Sequence, residues 1–165
     1  NTVIRTAAMD CYILPCEYMG FDTTSIASSD TFAALQTGVV EGLAGSTPAG
    51  AYLNYRDIID YYYVYQMSPE VTQIMISEKT LAKLSPEDQK TIVDICRQEC
   101  ANSVNYAKEE DEKYLKLMED NGIKIVRFTD EEIEMFAEAV RTNVWPQLAK
   151  TYGEDFINEL LKLYK

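Results

Sequence analysis

Histidine is absent from this chain of 165 residues, which removes the commonest general base and one half of most zinc sites. The four cysteines supply no Cys-x-x-Cys pair: Cys11 and Cys16 are five apart, Cys96 and Cys100 four apart. No Gly-x-Ser-x-Gly and no phosphate loop replaces them. Basic residues are few, 15 against 27 acidic for a net charge of −12, and they are scattered singly, so no surface can neutralise a run of phosphates and nucleic acid is not an expected partner. Apolar runs are short. The stretch Val71 to Ile76, broken by Thr72 and Gln73, falls far short of the roughly 20 residues that span a bilayer, so the chain is not expected to be membrane-embedded.

What remains is the composition of a folded protein, 47% hydrophobic and 25% charged. The length suits one domain, or one lobe of a two-lobed protein with part of the other. There is no initiator methionine and no leader; the chain opens directly on Thr2-Val3-Ile4-Arg5, which reads as a truncated or proteolysed chain, or as a mature exported one. An excess of acid repels anions at long range. Any site for an organic acid therefore needs a locally placed cation and oriented backbone amides.

Residues 2 to 6 read as a strand and Asp10 to Met19 as a helix, weakened by Pro15 and stopped by Gly20. Phe21 to Ala27 look extended; Ser28-Ser29-Asp30 offer N-caps for a helix carrying Phe32 and Leu35 up to Thr37-Gly38; Val39-Val40 begin a third strand. Ser46-Thr47-Pro48 have the form of a cap with proline in the first turn of a helix running to about Ile59. Such a helix start, following a strand, points free amides at a cleft. Tyr61 to Tyr65 and Val71 to Ile76 are β-prone, although the first, aromatic run could equally finish a helix; the second reads more clearly as a strand. Leu84-Ser85-Pro86-Glu87-Asp88 starts a helix whose stripe, Ile92, Cys96, Cys100, Val104, Ala107, Tyr114 or Leu115, and Met118, persists to Asn121-Gly122. That is roughly 50 Å of helix, long enough to tie two lobes together. A strand over Ile123 to Phe128, a helix from Thr129-Asp130-Glu131-Glu132, a break at Trp145-Pro146 and a last helix after Gly153 complete the order. The alternation at the front predicts an α/β lobe with a sheet of mixed strand direction, clasped by the helical tail.

The tyrosines Tyr52, Tyr55, Tyr61, Tyr62, Tyr63 and Tyr65 suit half-buried packing better than a ligand box. Cys96 and Cys100, on one helix face, suit packing too. The acidic run Glu109 to Glu112 lacks the loop spacing of a calcium site and reads as a solvated helix face.

The run Thr31-Phe32-Ala33-Ala34-Leu35-Gln36-Thr37-Gly38-Val39-Val40-Glu41-Gly42 resembles the signature of solute receptors of TRAP (tripartite ATP-independent periplasmic) transporters, "aLQtGvvDG", with Glu41 for the aspartate. Val3-Ile4-Arg5 is similar to that family's "kiR", and Ile76 to Leu81 followed by Leu84 to Gln89 to another of its segments. The resemblance implies a periplasmic-binding-protein-like fold of type II, seen from its latter half. Residues 1–70 and 111–165 would build the second lobe with its helical clasp, and residues 71–110 an excursion into the first. It implies a periplasmic protein, or an extracytoplasmic one anchored at the surface, that binds an organic acid without a cofactor and delivers it to membrane permease subunits.

By the same likeness Arg5 grips the carboxylate, and its planar fork suits that role. An asparagine that assists it elsewhere in the family is Gly45 here, which shifts the task to backbone amides and to the hydroxyls of Ser46 and Thr47. A position that is often aromatic is Ser28, and Tyr65 with Gln66 would border the cleft. The residues alone leave two rivals: an enzyme working through carboxylates, and a ligand-sensing domain on the same fold.

Overall fold

The computed structural model describes residues 1–68, 71 and 73–164. Strand β1 (Val3–Thr6) lies between β2 (Asp22–Ser25) and β3 (Gly42–Leu43) in a parallel sheet. Its alternate residues Ile4 and Thr6 are buried, as the period of two requires. Helix α1 (Asp10–Tyr18) carries the chain from β1 to β2. A single 3-10 turn at Ser28–Asp30 and α2 (Thr31–Gln36) carry it from β2 to β3. Pro15 stands inside α1 without ending it; buried with Cys16, it gains packing that offsets the hydrogen bond its ring removes.

A second parallel pair joins β4 (Tyr61–Val64) to β5 (Lys124–Arg127) in the register Tyr61 to Lys124 through Val64 to Arg127. The expectation of mixed strand direction is thus corrected, since every pairing among the described residues is parallel. Each step between paired strands runs through helix, and a helical crossover returns the chain to the edge from which it left. The Tyr62 hydroxyl donates to the Ser46 carbonyl at 2.9 Å, tying β4 to the turn that follows β3. On β4 the tyrosines alternate as packing residues do: Tyr62 is half-buried, while Tyr61 and Tyr63 stack their rings on the exposed side.

Helix α3 (Pro48–Tyr55) starts where Thr47 accepts the Gly50 amide, four residues earlier in its end than the sequence suggests. Between β4 and the long helix the expected strand over Val71 to Ile76 does not form: residues 71 and 73–76 have no regular structure, and Thr72 lies outside the described residues. A β-prone run needs a partner edge and a covered face. Here the side chains are bare, with Val71 75% and Met75 83% exposed. A short helix not foreseen, α4 (Glu78–Leu81), follows under a Ser77 cap.

Helix α5 (Pro86–Asp120) has the length its periodicity predicts, 35 residues, and Ser85 caps it by accepting the Asp88 amide. Only its last turns are buried. Leu115 and Met118 join Ala51 of α3 and Ile123 in one core, covered by Tyr52, Ile59, Tyr62, Val64 and Ile125. Earlier in the stripe Ile92 is half-buried and Val104 exposed, and Ile95 and Tyr106 beside it are exposed too. Cys100 is exposed and Cys96 only half-buried, so neither is packed into a core as expected.

The tail is helical: α6 (Asp130–Asn143), opened by a Thr129/Glu132 capping box, α7 (Trp145–Tyr152) and α8 (Glu154–Leu163). Val144, Leu148 and Ile157 form the second core, on which Cys11 and Leu14 of α1 pack. Thr151 donates to the Asp10 carboxylate at 2.6 Å, pinning α7 to the start of α1.

The thiols give a simple check on this packing. Cys16 is 1% exposed, and its pKa is pushed up to about 11 by burial and by the neighbouring Glu17 carboxylate. At pH 8 it holds little thiolate, so a thiol reagent should label Cys100 fast and Cys16 only after unfolding. Mass mapping of early adducts measures the order.

Candidate functional site

In a parallel sheet the strands release their chains at one edge, and loops gather there. Arg5 is the third residue of β1, paired in register with Thr24 of β2 and Leu43 of β3. Its Nε donates to the Ile26 carbonyl, just past the end of β2, at 2.9 Å, which holds the half-buried guanidinium in one plane. Among the described residues no carboxylate pairs with it. In a chain of net charge −12 an arginine without an acid partner is a ready anion site.

Just past β3 the same edge receives Ala44, whose amide donates to the Arg5 carbonyl at 2.9 Å, then Gly45, Ser46 and Thr47. Gly45 takes φ +84°, a region that glycine enters freely, and an added Cβ would lie 2.8 Å from Cε1 of Tyr12. The Ser46 hydroxyl points at the Thr47 carbonyl at 3.4 Å, and the Thr47 hydroxyl accepts the Gly50 amide at 3.1 Å. Thr47 therefore spends its oxygen on capping α3, leaving Ser46 the freer donor.

Ser28 follows Ile26 and is exposed, lining a groove with Ser29, Phe32, Leu53, Asn54 and Tyr55 between α2 and α3. The structure thus gathers Arg5, Gly45, Ser46 and Thr47 around one edge, with Ser28 close behind Ile26 in the chain. Tyr65 and Gln66 stand apart at the end of β4. The Tyr65 ring packs at 5.1 Å from both Phe128 and Phe136, and burial, followed by the charge of Cys16, raises its pKa. Gln66 is exposed, with φ 49°.

Two participants escape a reading of the sequence. The Ile26 carbonyl carries no side-chain signal at all, and Tyr12 looks like any other helix residue until its ring is found against Gly45. Among the described residues no cluster of Cys, Asp or Glu is placed to hold a metal. The acidic stretch of α5 is spent on surface pairs instead, Glu110 with Lys113 and Glu112 with Arg127, each at 2.9 Å. No helix among the described residues is long and apolar enough to cross a membrane.

Residues 1–151 match the family model DctP, described as bacterial extracellular solute-binding protein, family 7. The chain belongs to solute-binding family 7. No curated protein matches it at a significant level. Solved structures similar to this family 7 chain are TRAP periplasmic solute-binding proteins. One from Sulfurospirillum deleyianum, with bound succinate, is 21% identical at a TM-score of 0.75 over 98% of this chain and 53% of that one. One from a Sulfitobacter species, with bound β-D-galacturonate, is 22% identical at 0.74 over 96% and 52%. A third, from Chromohalobacter salexigens with bound D-glucuronate, is 17% identical at 0.75 over 98% and 52%. These likenesses establish the periplasmic-binding-protein fold. The family and these neighbours are solute receptors rather than enzymes. The family 7 chain spans about half the length of each of them.

Proposed function

We propose that this chain forms the second lobe of a periplasmic TRAP receptor, which holds an organic acid by its carboxylate and presents it to a membrane permease. The observation that carries the reading is Arg5: oriented by the Ile26 carbonyl, without an acid partner among the described residues, at the edge where β1 and β3 release their chains. Its fork meets the carboxylate, and Ser46 with the amides around Gly45 completes the hydrogen bonding. Thr47 holds the turn and Ser28 borders the cleft, while Tyr65 and Gln66, just past β4, border it at the lobe boundary, away from the Arg5 edge.

Residues 1–70 and 111–165 then make one lobe, clasped by α6 to α8, and residues 71–110 reach into the other. Two facts support this division. The solved relatives are about twice as long, and the apolar side chains of Val71, Ile74, Met75, Ile76, Ile95 and Val104 are bare in this chain. Surface of that kind calls for a cover.

Two lobes closing over a charged acid bury it and strengthen every contact to it, so the complete receptor should shrink on binding. Scattering with and without ligand measures that. The 165-residue chain alone, holding half the cleft, should bind the same acid at least about tenfold more weakly, about 1.4 kcal/mol. Mass spectrometry of the complete receptor as purified identifies the acid. Equal affinity in the two forms, or a retained molecule without an acid group, would sink the proposal.

A further inference from the structure

We infer that Tyr12 is the specificity-determining residue of the acid site, closing the crevice between β1 and β3 so that only a compact acid fits beside Arg5. The inference rests on the carboxylate reading above and deepens it.

The strand order β2-β1-β3 sends the chain from β1 to one side through α1 and β2, then back across to the other side at β3. The chain leaving β1 thus turns towards β2, whereas the chain leaving β3 does not return to this sheet but runs through α3 to β4. A crevice opens outside the carboxyl ends of such strands, and ligands of open parallel sheets bind there. Arg5 belongs to one of these two strands, and Gly45 follows the other directly.

Tyr12 bridges them. It stands in the first turn of α1, which leaves β1, and its ring lies against Gly45, past β3. The fit is tight enough that Cε1 and Cδ1 would stand 2.8 and 3.2 Å from any Cβ at Gly45. The ring is half-buried, so part of it still faces open space, and its hydroxyl has no hydrogen-bond partner among the described residues. A ring that stands against Gly45 without using its hydroxyl acts by volume. It occupies the flank of the crevice that a longer or bulkier acid would enter, and the loss of a few atoms from such a wall shifts selectivity between small and large ligands by about 10 to 200-fold.

The test is the size preference of the complete receptor, read by calorimetry with a panel running from acetate through succinate to D-glucuronate. Tyr12→Ala should shift the ratio of affinities towards the larger acids by at least about tenfold. Tyr12→Phe, which keeps the ring, should leave the ratio where the wild type has it. Thermal unfolding of both variants guards against a general loss of structure, which would lower all affinities together and leave the ratio alone. An unchanged ratio in Tyr12→Ala, or an equal shift in Tyr12→Phe, overturns the inference. Arg5→Ala separates it from its premise: if that variant loses every acid while Tyr12→Ala keeps the wild-type ratio, only the role of Tyr12 falls. If Arg5→Ala keeps them all, or the wild type takes none, the carboxylate reading falls and this inference with it.

Discussion

Arg5→Ala should cost the complete receptor about 2 to 5 kcal/mol in binding a carboxylic acid, the range measured when one partner of a buried charged pair is truncated. The size follows from what is left behind. Without the guanidinium, a carboxylate enclosed by two lobes meets backbone amides, the Ser46 hydroxyl and a chain that already carries −12. Its lost hydration is then poorly replaced. Arg5→Lys keeps the charge and loses the fork, and an ammonium cannot both donate to the Ile26 carbonyl through a secondary nitrogen and meet two oxygens in one plane. It should therefore lose part of the affinity, falling between the wild type and alanine. Calorimetry on the two variants separates geometry from charge, and undiminished binding by Arg5→Ala would remove the site assignment.

The second large effect concerns the long helix. Leu115 is 2% exposed in the core shared with Ala51, Met118 and Ile123, so Leu115→Ala should destabilise the chain by about 2 to 5 kcal/mol, through the lost burial and the cavity that remains. Ile95, on the same helix, is exposed, and Ile95→Ala should change the stability of this chain by no more than about 0.5 kcal/mol. In the complete receptor the second substitution becomes informative. If residues 71–110 are covered by another lobe there, Ile95→Ala should cost about 1 kcal/mol or more, because a side chain that is bare in one context is packed in the other. Urea unfolding of both variants in both forms measures the four values. An Ile95→Ala that stays neutral in the complete receptor would contradict the proposed division of the chain.

Elements whose signals lie within one turn of chain were legible from the residues. Ser85 and Pro86 open α5, Thr129 and Glu132 form the capping box of α6, and Thr47 with Pro48 opens α3, because a cap is a contact between groups three residues apart. The Leu35-Gln36-Thr37-Gly38 signature was legible for the same reason: it is a helix end and a turn into the next strand. The stretch Val71 to Ile76 misled, since propensity describes how a residue sits on a pleated face and cannot supply the face. The stripe of α5 misled in part. Its periodicity marks a side meant for burial along the whole helix, yet among the described residues only Leu115 and Met118 of it are buried.

The sequence by itself determined most of the helices and strands, the caps named above, the length of α5, the family and the one arginine most suited to an acid. These follow from local hydrogen bonding, from periodicity and from the wording of short motifs. Only the tertiary structure decided that the described strands pair in parallel, that Nε of Arg5 is held by the Ile26 carbonyl, and that Tyr12 closes over Gly45. Those contacts join residues 21 and 33 positions apart, across strands and through a helix. Their partners are a carbonyl that every residue carries and a glycine that has no side chain, and groups of that kind leave no mark in a sequence until the chain has folded around them.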